Sequence, residues 1–133
     1  MQLLNSAGFP ARLACQALLT GIVLYLCFGH FNAPTSLPVF PAMDKLVHAI
    51  MFGGWCGAML WTRQAAPWRW HPAWCLGAAI VTGGLVEIFQ PRLGRSGDAL
   101  DWFADIAGIL VAWGSFKLFP ALFAAPPPPK PSR

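Results

Sequence analysis

The sequence predicts an all-α protein, a four-helix transmembrane bundle, and three observations carry that expectation. The 133 residues are 56% hydrophobic and only 11% charged, against roughly 25% charged in an ordinary soluble domain. Four apolar stretches can be marked, each near the ~20 residues that cross ~30 Å of hydrocarbon. None of them carries the polar stripe along its length that a helix of a soluble bundle needs.

The first stretch runs from Leu13 to Phe31, behind Arg12. It is longer than the apolar core of a signal peptide, and Asn32-Ala33-Pro34-Thr35 offers no small-residue cleavage site, so it reads as a retained helix. Asn32 to Pro41 holds three prolines and breaks the helix. The second stretch, Met43 to Thr62, is followed by Arg63 to Pro72, a basic segment with Trp68 and Trp70, as befits a membrane interface. Ala73 to Phe89 is the third and shortest. Gln90 to Gly97 then carries Pro91 and two glycines, with Ser96 expected to cap the last helix and Asp98 in its first turn. The fourth stretch is Trp102 to Ala124. Residues 1–125 therefore read as one membrane domain and 126–133, with four consecutive prolines, as an extended tail.

The net charge of +4 comes from basic residues scattered singly, which excludes a nucleic-acid stripe. With four spans, Arg12, Arg63, Arg69, Lys117, Lys130 and Arg133 share one side; Lys45, Arg92 and Arg95 take the other. Six against three places both termini in the cytoplasm by the positive-inside rule. All five acids, Asp44, Glu87, Asp98, Asp101 and Asp105, fall on the outer side. The bilayer is the one certain partner of such a chain, and spacing says nothing of its oligomeric state.

Cys15, Cys27, Cys56 and Cys75 lie in apolar runs without a C-x-x-C pair, so neither a zinc motif nor a redox motif is expected, and no cofactor is assigned. The other polar residues are weaker signals. His30 and His71 fit interfacial positions, Gln16 and Thr20 fit helix-packing hydrogen bonds, and most of the seven tryptophans fit an interfacial belt.

The acids form a pattern with His48. Asp44 and His48 stand at i and i+4 on the second helix, with Lys45 between them, and Gln90 follows Glu87 at i+3. Asp98, Asp101 and Asp105 follow i, i+3, i+7 and share a face of the fourth helix. Three helices thus bring polar groups to a common depth, where ionisable side chains turn to the bundle interior and find partners. The residues leave four readings open. They are a scaffold network, an anionic-ligand site using Lys45, Arg92 and Arg95, a catalytic site with Glu87 or Asp105 as base, and a divalent ion on the carboxylates and His48.

Asp44-Lys45-x-x-His48, then Glu87-x-x-Gln90, Arg95 and Asp101-x-x-x-Asp105-x-x-Gly108 resemble the signature of the VanZ-like family over residues 44–114. The family usually has Asn where this chain has Asp105, a departure that adds a possible charge. The resemblance implies a small multi-pass protein of the bacterial inner membrane, linked to glycopeptide (teicoplanin) sensitivity. On that footing the expected function is binding of a cell-envelope precursor or partner at the outer face. A membrane-embedded enzyme on a lipid-linked or cell-wall substrate, or a helix-packing subunit with no ligand site, are the alternatives.

Overall fold

A computed structural model describes residues 8–29, 43–68, 70–94 and 97–124. The proline-rich segment Asn32 to Pro41, His30, Arg69, Arg95, Ser96 and the tail 126–133 lie outside the described residues. Every regular element among those described is helical: α1 (Phe9–Phe28), α2 (Met43–Ala65), α3 (Ala73–Phe89) with a 3-10 turn at Gln90–Leu93, α4 (Ala99–Leu118) and a short α5 (Pro120–Phe123).

The boundaries follow from local chemistry. Pro10 sits in the first turn of α1, where its missing N–H is no loss, so the helix begins three residues before Arg12 rather than after it. Asp44 in the first turn of α2 and Arg63 in its last both complement the helix dipole. The fourth helix starts three residues before the apolar stretch at Trp102 but two residues later than a Ser96 cap would set it, because Asp98 is its N-cap: the Asp98 carboxylate accepts the Leu100 N–H at 2.9 Å. It ends earlier than that stretch, at Leu118, because Pro120 cannot continue the helix; α5 follows as a separate turn.

Three helical segments are long and apolar enough to cross a membrane: Phe9–Phe28, Ala73–Leu93 and Ala99–Leu118. The second helix is the longest, at 23 residues, but is less apolar. Its position accounts for that. α2 touches α1, α3 and α4, so much of its surface meets protein, and residues such as Phe52, Gly53, Cys56, Leu60 and Thr62 are buried. The remaining faces of the bundle are apolar and open, with Leu18, Tyr25, Ile50, Val81, Val111 and Leu118 exposed. A soluble protein of this size would not leave such faces bare.

α2 packs most extensively on α4. Ala49, Gly53 and Gly57 face Gly108 and Ala112, and the backbones come close enough that a methyl group at Gly53 would lie 2.7 Å from the Gly108 carbonyl oxygen. Small residues at four-residue spacing let helices approach this closely where lipid supplies no hydrophobic drive. Two of the seven tryptophans are rivets between helices rather than members of an interfacial belt. Trp55, only 7% exposed, donates to Thr20 Oγ1 of α1 at 2.9 Å, and Trp102 donates to the Ile80 carbonyl of α3 at 3.0 Å. Thr20 thus makes the interhelical bond expected of it, whereas Gln16 bonds only within α1. Cys27, Cys56 and Cys75 are buried as free thiols and Cys15 is exposed.

Arg12, counted above only among the scattered basic residues that set the topology, is fully buried. Starting α1 at Phe9 turns it inward, where its guanidinium donates to the Trp61 carbonyl at 2.8 Å and the Ala124 carbonyl at 3.1 Å. It also lies 4.4 Å from the Trp61 ring centroid. A cation near the C-terminal ends of α2 and α5 meets the negative ends of their dipoles. The opposite end of the bundle holds the acids.

Candidate functional site

The site is built on the first turns of α2 and α4 and the last turn of α3. Lys45 reaches across from α2 and is its cationic hub. Its ammonium lies 2.9 Å from Asp101 Oδ1, 3.1 Å from Asp98 Oδ2 and 3.3 Å from Asp44 Oδ2. Asp98, at the mouth of α4, is held below the usual carboxylate range, first by the Leu100 N–H and then by Lys45.

One turn deeper, His48 lies between two carboxylates of α4. Its Nδ1 is 3.0 Å from Asp105 Oδ1, within hydrogen-bond distance, and its Nε2 faces Asp101 Oδ2 across 4.0 Å, too far for one. Asp105 is fully buried, and its second oxygen rests against Gly83 of α3, where a side chain would collide with it. The ring of His48 stacks on Phe52, a turn further along α2. A hydrogen bond from one imidazole nitrogen to a carboxylate fixes the ring and leaves the other nitrogen to act.

Glu87 closes the site from α3. Its Oε2 accepts the Asp98 backbone N–H at 2.8 Å, which locks the end of α3 to the start of α4. Its Oε1 is buried without a hydrogen-bond partner, as is Asp105 Oδ2. Orphaned buried oxygens of this kind are uncommon in folded proteins. Glu87 also lines a crevice of about 460 Å³ between α3 and α4, walled by Ile80, Val81, Gly84, Leu85 and Trp102.

The structure therefore brings Asp44, Lys45, His48, Glu87, Asp98, Asp101 and Asp105 together from three helices. Two expected members fall elsewhere. Gln90 is buried with helical backbone angles, and its side chain turns to α1, where it donates to the Cys27 carbonyl at 3.2 Å. Arg92 is exposed and lies over the Phe89 ring rather than beside a carboxylate. Lys45 is engaged by three acids, so an anionic ligand would find few cations among the described residues. Among the described residues, five carboxylates here face one lysine and one histidine. The arrangement suits a hydrogen-bond donor or a cation.

Among the described residues, no serine, threonine or cysteine makes a hydrogen bond with His48, so the pair with Asp105 activates no nucleophile among them. No protein-family model matches the chain, and no curated protein or solved structure is detectably similar to it.

Proposed function

We propose that this chain is a four-span protein of the bacterial inner membrane whose polar end receives the head group of an amphiphilic, lipid-linked ligand of the cell envelope. The ligand's chain lies in the crevice between α3 and α4, and its head-group donor meets Glu87. The single observation that carries this reading is Glu87, which lines an apolar crevice and holds a buried carboxylate oxygen without a hydrogen-bond partner. A hydroxyl, amine or amide arriving along the bilayer would supply the missing donor.

Three further points support it. Val81, Leu85 and Ile88 on the flank of the crevice are exposed, so it opens toward the surface that lipid would cover. α2, at 23 residues, is long enough to be the fourth span, with its polar residues turned to its neighbours. The basic asymmetry then puts both termini in the cytoplasm and the acids outside. The VanZ-like resemblance, which rests on its motif residues alone, fits an envelope ligand and an effect on glycopeptide sensitivity.

Native mass spectrometry of the full chain released from its membranes tests the reading. Wild type is expected to retain a bound amphiphile. Val81→Trp fills the crevice from its exposed side and Glu87→Gln removes the acceptor charge, and each is expected to lose most of that adduct while staying in the membrane. Adducts of equal intensity in all three proteins would refute the proposal.

A further inference from the structure

We propose that His48, Glu87 and Asp101 form a binding site for one divalent transition-metal ion, of the Zn²⁺ or Mn²⁺ class, at the polar end of the bundle. The inference rests on the reading of this end as a ligand site and says what else the site holds.

The three side chains come from α2, α3 and α4, and each offers one atom within 4.8 Å of the other two. Ligands about 2.1 Å from a common ion stand at most about 4.2 Å apart, so small side-chain rotations suffice to close on it. The 4.0 Å between His48 Nε2 and Asp101 Oδ2 already falls inside that limit. It is also a separation at which the two make no hydrogen bond, so neither atom has to be released.

Asp105 supplies the outer support such a site needs. It pairs with His48 Nδ1, which directs Nε2 toward Asp101, and a carboxylate behind a ligating imidazole is the usual second partner in metal centres. Asp105 is itself fully buried and has a spare oxygen. Asp101 is 8% exposed and gives Lys45 only its Oδ1, leaving Oδ2 for the ion. Glu87 contributes one carboxylate oxygen from α3. Finally, two positive charges offset the excess of carboxylates that Lys45 and His48 leave among the described residues.

One imidazole with two carboxylates favours Zn²⁺ or Mn²⁺ over Ca²⁺, which takes six to eight oxygens. Three protein ligands leave a coordination position open. A phosphate or hydroxyl oxygen of the head group would be its natural occupant.

The full chain, purified in detergent and stripped with chelator, is titrated with Zn²⁺ and separately with Mn²⁺, with no lipid added. The expected result is saturable binding of one ion per chain and a higher thermal midpoint. Zinc absorption spectra should show nitrogen and oxygen neighbours without sulfur. His48→Gln and Glu87→Gln should each weaken binding at least tenfold, and Arg92→Gln should leave it unchanged. A folded wild type that binds neither ion overturns the proposal, and so does sulfur in the zinc shell, which would point to the cysteines. Undiminished binding in both site variants overturns it too. Amphiphile retention measured on chelated protein separates the two readings: lipid held without metal binding sinks the metal site alone.

Discussion

Adding a single methyl group at Gly108 is expected to destabilise the protein by about 3 kcal/mol, the upper part of the range for overpacking. The obstacle at that position is the Ala49 carbonyl of α2 and not a side chain. A backbone group cannot rotate away, so Gly108→Ala must push α2 and α4 apart where they cross. The same movement separates His48 from Asp105 one turn above. Gly54→Ala is the matched control, because its new methyl would meet nothing within 4 Å. That change is expected to be neutral or to stabilise by about 0.5–1 kcal/mol, since Ala loses less backbone freedom than Gly in a helix. Thermal unfolding in detergent and membrane abundance, measured side by side, provide the check. Equal behaviour of the two variants would mean that α2 and α4 are not in backbone contact.

The second large effect lies at the His48–Asp105 pair. Asp105→Ala strands a His48 nitrogen in the bundle and is expected to cost about 2–3 kcal/mol, as for loss of a buried hydrogen bond to a charged group. The double variant His48→Gln with Asp105→Asn keeps a neutral hydrogen-bonding pair in similar space. It should recover most of that stability, because a lone buried polar group is costlier than a neutral pair. If the cluster were only a scaffold, the recovered protein would also recover its activity. As a ligand site, it should be stable, correctly inserted and still defective in binding ions and amphiphile. A double variant that is stable and binds like wild type would return the cluster to a structural role.

Much of this arrangement was legible in the sequence. Spacing placed Asp98, Asp101 and Asp105 on one face and Asp44 with His48 on another, and the cost of charge in a bilayer implied that those faces meet. Spacing gives a face, however, and not the neighbour a long side chain chooses. Lys45 stood open in the sequence as a partner for the acids or as a cation for a ligand, and three acids take it up. Gln90 follows Glu87 at helical spacing and keeps helical backbone angles, yet its side chain takes the Cys27 carbonyl of α1 rather than the cluster. Arg92 needs only an exposed ring, which Phe89 supplies.

Arg12 shows the limit most clearly. An arginine near the start of an apolar run reads as a solvated topology signal, and only the helix start decides otherwise. Pro10 was the available signal, since proline in the first turn moves the start ahead of Arg12. The tryptophans were ambiguous for a related reason: amphipathic rings suit an interface and a helix contact equally well, and Trp55 and Trp102 took the contact. The lower apolarity of α2 belongs to the same class, because pattern alone does not say which helix will sit at the centre.

The central claim is that these helices make a four-span bundle whose acidic end faces out of the cytoplasm, and topology reporters test it most directly. Fusions after residues 38, 66, 94 and 130 of the full chain sample each turn in order. The expected result is an extracytoplasmic signal at 38 and 94 and a cytoplasmic signal at 66 and 130. Signals from the same side at 38 and 66 would mean that α2 does not cross, and a cytoplasmic signal at 94 would place the Lys45–His48–Glu87–Asp101 site on the wrong face for an envelope ligand.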